Sequence, residues 1–410
     1  MNINPIVLSI PIYFLLIGIE LLIQAFSKQN LYRLNDAITN ISCGITQQVT
    51  GVFLKIVSIT AYQLLFEHFA LTQIPVTWWS VLILLFAVDF CYYWAHRMSH
   101  EVNLFWGGHV VHHQSEDYNF SVALRQGSFQ VIWTFMFSLP LAIIGFDTLT
   151  FVTVSAIVTV YQFWIHTETI GKLGPIEWIF NTPSHHRVHH GRNPKYIDKN
   201  HAGMFIIWDR MFGTFQEEEE RPTYGITKPV NSWNPVWVNL QHYAELWQSL
   251  KQARNFGDKM KMLFNKPGWF PEYLGGVQSV PEVDPSKYSK YDTRVSYQVS
   301  AYILVQYITV LGATAFYLFQ EKNFAMGDKV LLTVAIILTI VNCGVLFERK
   351  SWVAYTETLR LLALPALVAY FLLASPLLLP AVLIAGIFSL ISGIWLAKAG
   401  LYKMNSLHTA

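Results

Sequence analysis

The sequence predicts an all-α fold, a polytopic membrane helix bundle with a helical cap facing the cytosol, and three observations predict it. Of the 410 residues, 53% are hydrophobic and only 13% are charged, about half the charged share of an average soluble domain. Apolar runs of about 20 residues, enough to cross a hydrocarbon core roughly 30 Å thick, recur along the chain. Histidine is unevenly spread: 11 of the 14 lie between residues 96 and 201. The net charge of +2, from 28 basic and 26 acidic residues, argues against nucleic acid as a partner, because phosphate binding needs a clustered basic excess. Cys43, Cys91 and Cys343 stand far apart in apolar stretches, which excludes a disulfide framework and a zinc ribbon.

Five spans are expected before a long polar stretch, over residues 5–26, 41–66, 77–95, 129–146 and 148–165. Four follow it, over 297–319, 330–347, 359–374 and 377–397; only Ser375 and Pro376 separate the last two, so these also fit one re-entrant hairpin. The chain therefore divides into residues 1–295, with the histidines and the cap, and residues 296–410, with the C-terminal spans. No Lys or Arg precedes the first apolar run, so it reads as a retained span rather than a signal peptide. Lys28 and Arg33 follow span one, 67–76 lacks basic residues, and 167–296 holds most of the remaining Lys and Arg. Basic loops mark the cytoplasmic side. The cap thus faces the cytoplasm, in an endoplasmic reticulum membrane or a bacterial inner membrane; Lys322 and Lys329 run against that rule, beside Glu321 and Asp328. The acidic run 217–220 reads as a solvated loop. Residues 233–264 interleave aromatic residues with Lys251, Arg254, Lys259 and Lys261, a pattern that fits a helix on the membrane surface or one packed on the cap.

The histidine spacing carries the chemistry. His96 and His100 are four apart and share a helix face. His109, His112 and His113 stand at i, i+3 and i+4, and His186, His189 and His190 repeat that pattern, with His185 one turn before His189. Thr182 and Pro183 precede that group as an N-cap and first helical residue. His166 closes the fifth span. Crowded buried imidazoles lack hydrogen-bond partners when neutral and repel when protonated; a metal resolves both, since neutral imidazole binds Fe, Zn and Cu. Eight to ten histidines fit two ions. Arg97 occupies the place of the glutamate in a zinc-protease HExxH helix, so that chemistry is excluded. Soluble di-iron bundles use glutamates, whereas this set is nearly free of carboxylates. A metal transporter would line several spans with ionisable residues, but Asp89 and Lys55 are the obvious ones; runs such as HxxHH do not suit the two axial positions of a haem.

These motifs resemble the fatty acid hydroxylase superfamily, the membrane sterol desaturases and hydroxylases. The family pattern reads here as His96-xxx-His100, His109-xx-His112-His113, the isolated His166 and His186-xx-His189-His190. The strings DFCYYWAHR (89–97), HVVHHQSEDYNFSVALRQ (109–126), TPSHHRVHHGRN (182–193), IDKN (197–200) and IWDRMFGTF (207–215) are most similar to the ether-lipid-cleaving branch, with weaker similarity at PVNSW (229–233) and KPGW (266–269). The resemblance implies two iron ions, with zinc accepted by the same ligands, held by His96, His100, His109, His112, His113, His166, His185, His186, His189 and His190. It also implies O₂, a reduced pterin such as tetrahydrobiopterin, and a membrane lipid substrate hydroxylated at its ether-linked carbon. A sterol, carotenoid or fatty-acyl hydroxylase or desaturase is the alternative on the same site.

Three further residues are candidates for the reaction. Asp89, two turns before His96, is costly within a span and is expected to orient a ligand histidine. Glu116, directly after the second box, is expected to contact pterin or substrate, and Asn119 to hydrogen-bond a ligand. Trp208, Asp209 and Arg210 read as fold-keeping, and His201 as a neighbour of the ligands. His68, His242 and His408 have no partners at ligand spacing.

Overall fold

The computed structural model describes residues 5–27, 29–284 and 287–399, and His408 lies outside them. Among the described residues there is no strand beyond two isolated bridges, Phe180 with Phe205 and Gly191 with Tyr224. Two compact units form, one of residues up to Val230 together with Val238–Tyr291, the other of Asn231–Trp237 and the chain from Asp292 onward.

The first unit begins with α1 (Pro5–Ser27), α2 (Leu34–Phe69) and α3 (Trp78–Glu101), each long and apolar enough to cross a membrane. Their exposed residues include Leu15, Leu22, Val57 and Ile83, as expected of helices that present apolar surface to lipid. A reciprocal capping box between Thr77 and Ser80 starts α3, satisfying amides that would otherwise be orphaned. There follow α4 (Asn103–His113), α5 (Phe120–Ala123), α6 (Gln130–Thr134), α7 (Leu139–Ile144) and α8 (Thr148–Tyr161). The expected fourth span, 129–146, is therefore not one helix: a 3₁₀ segment, Phe135–Ser138, separates α6 from α7. Pro140 stands in the first turn of α7, where it has no amide hydrogen to continue a longer helix. The fifth is short as well. The 14 residues of α8 rise about 21 Å, less than the hydrocarbon thickness. Both pack into a core of Tyr62, Leu84, Val88, Leu141, Ala142, Phe146, Val154 and Val158. Gly145 ends α7 at φ +117°, and a Cβ there would lie 2.0 Å from the Thr72 carbonyl oxygen, so only glycine fits.

Short elements make the cap: α9 (Pro183–His189), α10 (Ile207–Phe212), α11 (Pro235–Gln252) and α12 (Phe256–Phe264). The second unit contains α13 (Tyr297–Gln320), α14 (Met326–Phe347), α15 (Val353–Leu372) and α16 (Leu378–Lys398), all of spanning length. The last two are separate helices joined by residues 373–377, rather than one short hairpin. A buried polar cluster ties these four together. Glu357 pairs with Arg360 at 2.6 Å and accepts from Tyr302 and Asn342; Arg360 donates to Gln306, which donates to Ser392.

Among the described residues, seven helices of spanning length make the chain a multi-pass membrane protein.

Candidate metal centre

The histidines arrive from four places. α3 brings His96 and His100 at its end, and α4 brings His109, His112 and His113. His166 stands in the turn after α8, and α9 brings His186 and His189, with His190 as its C-cap. α4 sits close to its neighbours because it carries glycines: a Cβ on Gly108 would lie 3.0 Å from the Gln130 Cα, and one on Gly107 would strike the Tyr243 ring. The rings sort into two groups whose ligand atoms lie within 4.8 Å of one another: His96, His100, His109, His113 and His189 in one, and His112, His166, His186 and His190 in the other. The groups adjoin, with the His113 and His190 rings 4.4 Å apart.

The hydrogen bonding tests whether these rings fit metal ions. His96 Nδ1 lies 2.7 Å from the His201 carbonyl oxygen, His112 Nδ1 2.8 Å from that of Arg125, His166 Nδ1 2.7 Å from that of Gln162 and His189 Nδ1 2.9 Å from that of Lys199. A carbonyl oxygen only accepts, so each Nδ1 carries the hydrogen and each Nε2 a bare lone pair. Yet His112 Nε2 and His166 Nε2 face each other at 3.1 Å, a contact with no hydrogen between them. The other Nε2 separations are 2.8 Å for His96–His109, 3.2 Å for His109–His113 and 2.9 Å for His166–His186. Two ligands at right angles on an ion with metal–nitrogen bonds of about 2.05 Å stand about 3 Å apart, which matches. The Nε2 atoms of His100, His189 and His190 are buried without a hydrogen-bond partner. The donor set fits two cations and leaves them no negatively charged ligand, since neither group contains a carboxylate.

The rings are also in the right protonation state. Burial holds His109, His113, His166, His186, His189 and His190 well below the ordinary imidazole range, with neighbouring imidazoles adding to the effect, and burial pushes His112 down to about 4. They are neutral at pH 7 and free to ligate.

His185 joins neither group. On α9 it points about a quarter-turn away from the face shared by His186, His189 and His190, and its ring meets Phe215 edge-on at 5.4 Å. His201 is buried beside the first group, its ring 5.0 Å from that of His100, and its carbonyl oxygen is the acceptor for His96. Asp89 touches no histidine. It accepts from the amides of Met204 and Phe205 and from Trp208 Nε1, while Asp209 accepts from the amides of His201 and Ala202. The two carboxylates hold the 201–205 segment, and that segment, through the His201 carbonyl, is what connects Asp89 to His96. Glu116 accepts from the Tyr288 hydroxyl and the Tyr291 amide, and Asn119 caps α5 and donates to the Leu31 carbonyl oxygen; neither reaches a ring of the centre. Glu218 departs from the solvated loop expected for 217–220: it forms a largely buried pair with Arg187 at 2.7 Å and accepts from Ser184.

Sequence reasoning missed Glu20. This α1 residue is fully buried and accepts from the Phe120 amide, the Thr167 hydroxyl and the Tyr32 hydroxyl. It thus ties α1 to the residue after His166 and to the start of α5. A lone glutamate inside an apolar run was the available signal. Arg125 is likewise buried, donating to Asn40, Gln114 and the Val111 carbonyl oxygen, which sets the carbonyl that orients His112.

A cavity of about 850 Å³ opens beside His100, His113, His189 and His190. Its walls include Trp106, Trp269 and Phe270, together with His242, and two ion pairs, Asp198–Lys266 and Lys228–Glu245.

Residues 81–214 match the Fatty acid hydroxylase family model. The chain is 40% identical to alkylglycerol monooxygenase of Homo sapiens over 365 residues, covering 86% of this chain and 80% of the relative. It is 38% identical to that of Xenopus tropicalis over 357 residues, covering 85% and 79%. A shorter match, 31% over 157 residues, covers 36% of this chain and 45% of an ornithine lipid hydroxylase of Rhizobium tropici. No solved structure matches. Similarity that spans the histidine boxes and most of the remaining chain identifies an oxygen-dependent oxidoreductase, and this chain belongs to the alkylglycerol monooxygenase family of fatty acid hydroxylases.

Proposed function

We propose that the protein is a di-iron monooxygenase that cleaves alkylglycerol ether lipids with O₂ and a reduced pterin, tetrahydrobiopterin. The overall change is R–CH₂–O–R′ plus O₂ plus two electrons and two protons from the pterin, giving R–CH(OH)–O–R′ and water. The pterin is oxidised to the dihydro level. The hemiacetal then opens to a fatty aldehyde and the free alcohol of the glycerol lipid.

The single observation behind this reading is the pair of carboxylate-free imidazole groups whose lone pairs converge in fives and fours. Bound iron supplies the oxygen activation and C–H oxidation that no side chain can provide. The protein's contribution is placement. His96, His100, His109, His113 and His189 hold one ion, and His112, His166, His186 and His190 the other. The carbonyls of His201, Arg125, Gln162 and Lys199 fix the rings' tautomers. Asp89, Glu116 and Asn119 position the segments around the ligands. The cavity beside His100 and His113 receives the ether-bearing end of the lipid, whose alkyl chain comes from the bilayer. The centre faces the cytoplasm, from the endoplasmic reticulum in a eukaryote or the inner membrane in a bacterium. Residues 1–295 form the hydroxylase domain and 296–410 a C-terminal membrane domain.

The test is direct. Purified protein carrying two irons per chain, given 1-O-hexadecylglycerol, tetrahydrobiopterin and O₂, is expected to release hexadecanal and to need all three. Iron-loaded protein that yields no aldehyde but oxidises a sterol or fatty-acyl lipid would overturn the assignment.

A further inference from the structure

The helices α11 and α12 carry large apolar side chains on the outside of the cap. On α11 the residues Leu240, Ala244, Trp247 and Lys251 follow the i, i+4, i+7, i+11 spacing of one helix face; Trp247 is 60% exposed and Leu240 41%. On α12, Phe256, Met260 and Phe264 form a second row, with Phe256 73% and Phe264 52% exposed. The opposite side of α11 supplies Gln241, His242, Glu245 and Ser249 to the wall of the cavity beside the metal centre. A third side packs where the broken fourth apolar segment begins: Asn239 accepts from the Ser128 amide and Tyr243 accepts from Trp133 Nε1. Through that third side α11 is joined to the start of a short apolar helical segment, Gln130–Ile144. Cations accompany the rings, with Lys251 Nζ 5.6 Å from the Trp247 ring and Lys259 and Lys261 exposed on α12.

We propose that these outer faces are seated in the headgroup layer of the membrane the chain spans, with the lysines against anionic lipid phosphates. Aromatic rings sit at that depth while lysine stems lie along apolar surface and keep their charges at the phosphates. A water-facing position would leave four large side chains exposed with nothing to cover them, and rings flanked by lysines match a surface that is apolar below and anionic above, as a headgroup layer is. The seating places one wall of the cavity at the bilayer surface, where a lipid is met. That consequence rests on the proposed function; the seating does not.

The test uses spin labels on the full-length protein in nanodiscs of phosphatidylcholine and phosphatidylglycerol, introduced as Leu240→Cys, Trp247→Cys, Phe256→Cys and Phe264→Cys, with Gln248→Cys and Gln252→Cys as polar-side references. The labelled positions are exposed, and metal content reports that each variant is folded. Collision with O₂ is expected to exceed collision with a water-soluble nickel chelate at the four apolar positions and to be lower at the references. Lys251→Glu/Lys259→Glu/Lys261→Glu is expected to shrink that difference. Equal aqueous accessibility at all six positions overturns the proposal. Loss of accessibility to both reagents at the apolar positions also overturns it, because it shows them covered by protein, such as a second copy. No turnover is measured, so the result stands apart from the enzymatic assignment.

Discussion

Replacing Glu20 tests how the membrane helices hold the metal centre. Its carboxylate takes three hydrogen bonds, from the Phe120 amide, Thr167 Oγ1 and the Tyr32 hydroxyl, in a site with no solvent exposure. Glu20→Leu removes both acceptor oxygens, and with them all three hydrogen bonds, and leaves the donors buried. An orphaned buried donor costs about 1–3 kcal/mol. The two hydroxyls can rotate toward other acceptors but the amide cannot, so the expected loss is about 3–5 kcal/mol. Glu20→Gln behaves differently. Its carbonyl oxygen can keep the Phe120 amide and Tyr32, its NH₂ can donate to Thr167 Oγ1, and the loss stays near 1 kcal/mol. Because Thr167 follows His166 directly, the damage should concentrate in the group of His112, His166, His186 and His190. The assay pairs thermal unfolding in detergent with iron per chain, and the expected order in both is wild type, then Gln close behind, then Leu far below with about one iron lost. A Leu variant that melts with wild type and keeps all its metal would refute the argument that this carboxylate anchors the His166 turn.

Three other outcomes follow from the geometry. His186→Ala should lose one ion and nearly all turnover, whereas His185→Ala, whose ring lies outside both groups, should keep full metal content; equal metal loss in the two would contradict the grouping. Arg187→Ala leaves Glu218 largely buried without its partner and should destabilise the cap by about 3–5 kcal/mol, read by thermal unfolding, while Arg187→Ala/Glu218→Gln should recover part of the loss. Metal-stripped protein should lose stability on acidification. Burial keeps the folded imidazoles below the unfolded value of about 6.5, with His112 at about 4. The unfolded chain therefore binds more protons across that interval, and stability is full above about pH 6.5 and falls toward pH 4; a flat unfolding profile over that range would count against buried neutral rings.

Much of the centre was readable from spacing alone, because HxxHH on a helix can only present its rings on one side, and two such helices plus HxxxH leave few places for the lone pairs to meet. His185 misled because i, i+4 from His189 is also a same-face relation; only the packing of Phe215 decides against it. The parts that orient the rings were not readable. They are backbone carbonyls of His201, Arg125, Gln162 and Lys199, and a carbonyl is present at every position of every sequence. Asp89 signalled its importance by its cost inside an apolar run, but not its partners, which lie more than a hundred residues away. The spans were legible where apolar runs were long. Residues 129–146 passed the same hydropathy reading, yet a 3₁₀ turn at Phe135–Ser138 interrupts them just before Pro140, local geometry that composition does not register.

The cluster joining Tyr302, Gln306, Asn342, Glu357, Arg360 and Ser392 constrains how the C-terminal unit is made. Inserted alone, α15 would bring both a guanidinium and a carboxylate toward lipid with only each other for company. Their remaining partners lie on the two preceding helices, Tyr302 and Gln306 on α13 and Asn342 on α14, and Gln306 in turn donates to Ser392 on α16. Biogenesis should therefore hold α13 and α14 beside the insertion machinery until α15 emerges, and a ribosome halted before Glu357 is synthesised would leave Tyr302 and Asn342 without their acceptor and the chain still open to quality-control recognition.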